Sequence, residues 1–188
     1  MEAKITYFET PGRDNTDAVM EIVKQRAQEL EIETVVVASY RGYTAEKAVR
    51  ALDGMKIVVI AGFPHPTMDN LEETFAQGDE KLIKDKATVL IATHFFSGMS
   101  RAIRKKYNSS SPEELVAQAL RMMCSGVKVG IECTIMAADA GLVRTDEDII
   151  AIAGTGSGAD AAILVRPVNS QDFFDLKVKE ILCKPRNW

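Results

Sequence analysis

Five short apolar runs, "TVVVA", "KIVVI", "TVLIA", "IIAIA" and "AAILV", constrain this chain more than any other feature. Each is rich in β-branched residues and too short for a buried helix, so each reads as a strand. Between the first three lie segments whose apolar residues recur at helical spacing. Strands alternating with such helices give a mostly parallel sheet joined by crossover helices.

Along the chain the pattern predicts strands at 5–8, 34–38, 56–60 and 88–92. The first helix carries Val19, Ile22, Val23, Ala27 and Leu30 at the 3.6-residue period, with Asn15 or Thr16 as its cap. A second spans 44–52 with Ala45, Ala48, Val49 and Leu52 inward. A third carries Met68, Leu71, Phe75 and Leu82, after a loop that Pro64 and Pro66 keep from being helical. "THFFSGMSRAIRKKYN" begins as loop and ends as helix. In "SSSPEELVAQALRMMC", Ser111 caps, Pro112 takes the first helical position and Glu114 completes a capping box. "VKVGIECTIMAADAGLV" reads as a short strand and then a helix ending near Gly141. Strands at 149–153 and 161–165 follow, Pro167 stops the second, and "FFDLKVKEIL" alternates enough to be a last strand. The expected fold is α/β, a single domain over residues 1–188. It has three layers, a mostly parallel sheet with flanking helices, and an antiparallel strand pair near the C-terminus.

At 188 residues and 46% hydrophobic, the chain can bury a core without disulfides or metals. A net charge of −4, with Lys and Glu mixed along the helices, offers no broad positive surface to a nucleic-acid backbone. Cys124, Cys133 and Cys183 are widely spaced and lack a C-x-x-C pair, so neither a disulfide framework nor a zinc site is encoded. The opening "MEAKITYFET" has no basic segment followed by an apolar run, and no stretch reaches the roughly 18 apolar residues of a membrane span. The expectation is a cytoplasmic protein with neither nucleic acid nor membrane among its partners.

Two loops carry the functional signal. In "VVVASYRGYTAEKAV" a strand runs into a short loop and then directly into a helix. Ser39, Tyr40, Arg41, Gly42, Tyr43 and Thr44 there combine hydroxyls, one guanidinium and free amides at a helix start, which suits an anion and above all a phosphate. The second loop, "GTGSGAD", holds Gly154, Thr155, Gly156, Ser157 and Gly158. It matches G-x-G-x-x-A, but 161–165 is strand-like and Pro167 follows, so no crossover helix fits and a dinucleotide fingerprint is excluded. A glycine-rich connection between neighbouring antiparallel strands remains, serving either as a plain hairpin or as cover for a ligand.

The segment "NTDAVMEIVKQRAQELEIETVVVASYRGYTAEKAVRAL" resembles the opening of the C-terminal domain of pyruvate kinase, and "IIAIAGTGSGADAAILVRPV" is similar to that domain's closing strand pair. In that family the two corresponding loops jointly hold a sugar bisphosphate effector. The chain is too short to include a catalytic barrel, so the resemblance implies the fold and a phosphate site but not the kinase reaction. The whole sequence looks more like a small group of stand-alone archaeal and bacterial proteins with this fold, associated with flavin mononucleotide (FMN). That resemblance implies FMN as cofactor, its phosphate on residues 39–44 with Arg41 as charge partner, and the glycine loop closing over it. Tyr40 and Tyr43 stand where the kinase pattern has basic residues, which favours one phosphate in an aromatic-tolerant surround over a bisphosphate.

Other candidates share the expected carboxyl edge of the sheet. Phe63, Phe95 or Phe96 can face an isoalloxazine ring, and Thr10, Asn15, Gly62 and Thr93 can supply its polar contacts; each also reads as ordinary packing. His65 and His94 both fall in loops of this edge, as candidate proton donors or as hydrogen-bonded surface residues. Glu132 and Cys133 stand where a strand is expected to give way to a helix, so Cys133 is either a thiolate helped by the helix dipole or a small buried residue. The basic cluster Arg101, Arg104, Lys105 and Lys106 ends a helix and receives no binding role. The stripe Leu115, Leu120, Met122 and Met123 reads as a buried face, part of which can serve a homo-oligomer. The function expected is binding of a phosphorylated small molecule, FMN first, with a flavin-dependent oxidoreductase as one consequence. The alternatives are a sugar-phosphate-sensing domain without catalysis and an enzyme using a loop histidine on a phosphorylated substrate.

Overall fold

The computed structural model describes residues 2–62 and 75–188. Phe63 and His65, and the Met68 and Leu71 expected on a helix, lie outside the described residues. The strands are β1 (Thr6–Phe8), β2 (Thr34–Ala38), β3 (Lys56–Gly62), β4 (Ala87–Ala92), β5 (Ile149–Ala153), β6 (Ala161–Arg166) and β7 (Lys177–Pro185). The described helices are α1 (Thr16–Leu30), α2 (Tyr43–Ala51), α3 (Glu80–Lys86), α4 (Gly98–Tyr107), α5 (Pro112–Arg121) and α6 (Ser125–Asp139).

The strands form one sheet in the order β1-β7-β6-β5-β2-β3-β4. β2 pairs in parallel with β3 and β5, β3 with β4, and β1 with β7, while β6 runs antiparallel to both β5 and β7. Alternate residues of each strand face opposite sides. Val35, Val37, Ile57, Val59, Ile150 and Ile152 pack on one side with Val19 and Val23 of α1 and Ala45, Ala48 and Val49 of α2. Val36, Val58, Ile60 and Ala151 pack on the other with Val127, Ile131 and Ile135 of α6. The apolar runs are continuous because both faces are covered, which makes three layers. Each fully buried valine or isoleucine contributes about 1.5–3 kcal/mol.

The largest departure from expectation is α6. "VKV" is not a strand but the first turns of a 15-residue helix that is buried on almost every side. A helix apolar all round loses the 3.6-residue signal, and its β-branched residues then look like strand. Gly126 and Gly130 let this helix approach the sheet: a Cβ on Gly126 would lie 2.6 Å from Cβ of Ala161, and one on Gly130 3.3 Å from Ile163.

Smaller corrections have local causes. Asn15 takes the N-cap position of α1 but makes no side-chain cap bond; it donates instead to the carbonyls of Thr10 and Gly12, and Thr16 donates to the Arg13 carbonyl. The capping box on α5 does not form: Ser111 donates instead to Ser100 Oγ at 2.8 Å, and Glu114 pairs with Arg104. Phe173 and Phe174 sit in a 3-10 turn, Ser170–Asp175, ahead of β7 rather than within it. Leu120 and Met123 pack on the core, whereas Leu115 and Met122 of the same stripe are exposed. Among the described residues no helix is long and apolar enough to cross a membrane.

Candidate functional site

The carboxyl ends of β2 and β3 and the loops that follow β2, β4 and β5 surround a cavity of about 510 Å³. β2 leads into the 39–42 loop, and that loop is fixed from beneath. Ser39 donates its amide to the Ile60 carbonyl at 3.0 Å, and its Oγ accepts from the Ala45 amide at 3.1 Å, so Ser39 caps α2. Gly42 has φ +90°, and a Cβ there would lie 3.1 Å from the Phe75 ring and 3.2 Å from Gly78 Cα, so the turn requires glycine. The Gln77 amide donates to the Arg41 carbonyl at 2.8 Å. The amides of Tyr43 and Thr44, at the positive end of α2, find no acceptor among the described residues.

The glycine loop between β5 and β6 faces this helix start. Gly156 and Gly158 have φ of +76° and +72°. A Cβ on Gly158 would come within 2.6 Å of both Arg13 Cα and Thr16 Oγ1. The Ala159 amide donates to that same Thr16 oxygen at 3.0 Å. Asp160, fully buried, accepts through Oδ2 from the amides of Gly12 at 2.8 Å and Thr155 at 3.0 Å. Its Oδ1, like the Thr155 hydroxyl, is buried without a hydrogen-bond partner among the described residues. The Arg13 guanidinium lies 3.5 Å over the Tyr43 ring, so the loop before α1 also closes on α2.

Opposite stands His94, in the loop after β4. Its Nδ1 is buried, and its described polar contact is Glu132 Oε2 at 3.3 Å. A Cβ placed on Gly62 would lie 3.6 Å from His94 Nε2 and 2.3 Å from the Tyr40 ring, so both side chains flank the bare Gly62 backbone. Glu132 is 1% exposed, accepts from the Phe96 amide at 2.9 Å through Oε1, and pairs with the Lys128 ammonium through Oε2. Burial pushes the Glu132 carboxyl up, but His94 and Lys128 outweigh it and hold it down at about 2. A histidine backed by a buried carboxylate, with its other nitrogen toward a cavity, is equipped to give or take a proton.

Ser39, Tyr40, Arg41, Tyr43 and Thr44 all line the cavity, with Gly42 as the turn between them. So do Gly62 and His94, and from the second loop Gly154, Gly156, Ser157 and Gly158. Thr10, Asn15, Thr93 and Thr155 do not line it. Phe95 and Phe96 turn away into a cluster with Phe173, with centroids 4.9–6.1 Å apart. Cys133 lies mid-helix rather than at a helix start, fully buried, and burial pushes its thiol well above the usual range. Four residues escaped the sequence reading in these roles: Arg13, Lys128, Glu132 and Asp160. Lys128 and Glu132 are four apart in an otherwise apolar stretch, which signals a paired helix face once the segment is read as helical. Among the described residues no group of His, Cys, Asp or Glu is placed to hold a metal ion.

A three-layer α/β sheet with two loops converging at its carboxyl edge defines the class. The chain belongs to the pyruvate kinase alpha/beta domain family, whose model matches residues 17–164. Among solved structures, it is similar to a pyruvate kinase from Cryptosporidium parvum at 12% identity, with 81% of this chain and 23% of that chain covered and a TM-score of 0.43. The same organism's pyruvate kinase in complex with ADP matches at 12% identity, covering 81% and 24%, with a TM-score of 0.44. An NH3-dependent NAD synthetase from Campylobacter jejuni matches at 15% identity, covering 60% and 48%, with a TM-score of 0.36. The chain spans about a quarter of the length of the pyruvate kinases that it matches.

Proposed function

We propose that this protein binds a phosphorylated small molecule at the carboxyl edge of its sheet, with FMN as the ligand to test first. The observation that carries the reading is the convergence of residues 39–44 and 154–158 on one cavity, with the Tyr43 and Thr44 amides finding no acceptor among the described residues. The phosphate takes those amides and the Thr44 and Ser157 hydroxyls, with Arg41 as its charge partner. A cavity of about 510 Å³ is of the size that holds small molecules. Tyr40 offers an aromatic face beside His94. When bound, FMN would supply redox chemistry; the chain's own residues bind its phosphate and present the His94 ring at the cavity.

One observation favours a second reading. Phe95 and Phe96 turn away, leaving Tyr40 and Tyr43 as the described aromatic lining, which suits a smaller and more polar sugar phosphate sensed without chemistry. The visible spectrum of the purified protein, followed by melting with FMN, riboflavin and sugar phosphates, separates the two. A ligand at 100 times its dissociation constant adds about 2.7 kcal/mol of stability. FMN should raise Tm more than riboflavin does, and Arg41→Ala should weaken FMN about tenfold or more while leaving riboflavin unchanged. If Arg41→Ala alters neither FMN nor sugar phosphate binding, residues 39–44 are not a phosphate site.

A further inference from the structure

His94 is a party wall. Its other side opens onto a second cleft, of about 440 Å³, framed by α4, α5 and α6. Four cations line this cleft, namely Arg101, Arg104, Arg121 and Lys128, against two carboxylates, Glu114 and Glu132. Arg104 pairs with Glu114 and Lys128 with Glu132, which leaves Arg101 and Arg121 without a carboxylate partner among the described residues. The cleft is thus net positive in a chain whose net charge is −4.

Helix-end electrostatics do not account for this clustering. Arg104 and Arg121 lie in the last turns of their helices, where cations are favoured, but Arg101 lies in the first turn of α4 and Lys128 in the first turn of α6. There the helix dipole disfavours positive charge. Lys128 is also nearly buried, with its ammonium 5.1 Å over the Phe96 ring. Arg101, at a positive helix end, and Arg121 share this cleft with the Lys128–Glu132 pair and have no carboxylate of their own among the described residues, an arrangement that an anion between them would stabilise. Neutral donors point the same way. Ser97 provides α4 with no side-chain cap. Ser100 is 6% exposed and lines the cleft, with its Oγ 2.8 Å from the Ser111 hydroxyl.

We propose that this cleft is a second oxyanion site, for the carboxylate or phosphate group of a small acidic molecule. Arg101 and Arg121 present their planar forks from α4 and α5, and Lys128 and Ser100 donate from the floor. The proposal does not depend on the first cavity holding a phosphate.

Isothermal titration with inorganic phosphate and with succinate, at low salt, tests it in the wild type, in R101Q/R121Q, in R101K/R121K and in Arg41→Ala. R101Q/R121Q should weaken one class of anion binding at least tenfold, with R101K/R121K intermediate and Arg41→Ala without effect on that class. Both arginines project from the surface of their helices, and an unchanged circular dichroism melt confirms that the variants fold. Phosphate and succinate binding that is identical in wild type and R101Q/R121Q overturns the proposal. Loss in R101Q/R121Q with no effect of Arg41→Ala on any anion supports this site and removes the phosphate reading of the first cavity. Preference for phosphate over succinate, or the reverse, identifies which acid the cleft takes.

Discussion

Replacing Lys128 by methionine removes the ammonium facing Glu132 while keeping most of the side chain's volume. The carboxylate, 1% exposed, then keeps the Phe96 amide and His94 but loses its buried cation. Stranding a buried charge in this way costs about 3–5 kcal/mol. Glu132→Gln strands the ammonium instead and belongs in the same range. The double variant K128M/E132Q leaves neither charge behind, and the glutamine oxygen can still accept from Phe96. It should therefore lie within about 1–2 kcal/mol of the wild type, with strong coupling between the two positions. Urea unfolding at pH 7 measures all four proteins. The pH dependence supplies a second reading of the same pair. Glu132 is held at about 2 in the folded chain against an ordinary value of 4.5. A folded value below the unfolded one means that the stabilisation is complete above about pH 4.5 and is lost as pH falls toward 2. The deficit of Lys128→Met should accordingly narrow in acid, from the pH at which the stranded carboxylate of the variant takes up a proton down to about 2, where the wild-type carboxylate does so. Single variants that each cost under about 1 kcal/mol, or costs that simply add in the double variant, refute the reasoning.

Gly158→Ala places a Cβ 2.6 Å from Arg13 Cα at φ +72° and should cost about 1–3 kcal/mol in thermal melts. Gly141→Ala, at φ +68° with open space around it, should cost less, and equal costs would deny the clash. Cys124, Cys133 and Cys183 are all fully buried, and burial raises each thiol, that of Cys183 to about 12. A thiol reagent at pH 8 should label none of them in the folded protein and all three in denaturant; rapid labelling of any one would contradict the packing around it.

The sheet was legible because its central strands are buried on both faces. Val35 to Val37 and Ile57 to Ile60 can be little else. Residues 39–44 were legible for a related reason, since a strand ending directly in a helix leaves amides whose use must be explained. What escaped depends on distance in the sequence. Nothing near Asp160 announces that it accepts from Gly12, 148 positions away, and nothing near Glu132 announces the Phe96 amide. The reading of α6 compounds this, because a strand that gives way to a helix at Glu132 puts Lys128 and Glu132 on different elements and hides their pairing. Phe95 and Phe96 read either as ligand-facing or as packing residues, because adjacent residues after a strand end can face either way, and Phe173 decides for packing.

The contacts that lock Gly158 against Arg13 and Thr16 bear on the kinetics of any occupant. Asp160 ties the loop before α1 to the glycine loop through two amides, and Thr16 adds a third bond, so this wall of the crevice behaves as one body. A molecule arriving there need not wait for the wall to assemble, nor give up binding free energy to order it. Entry is then governed by diffusion and orientation, and substitutions along this wall act chiefly on residence time.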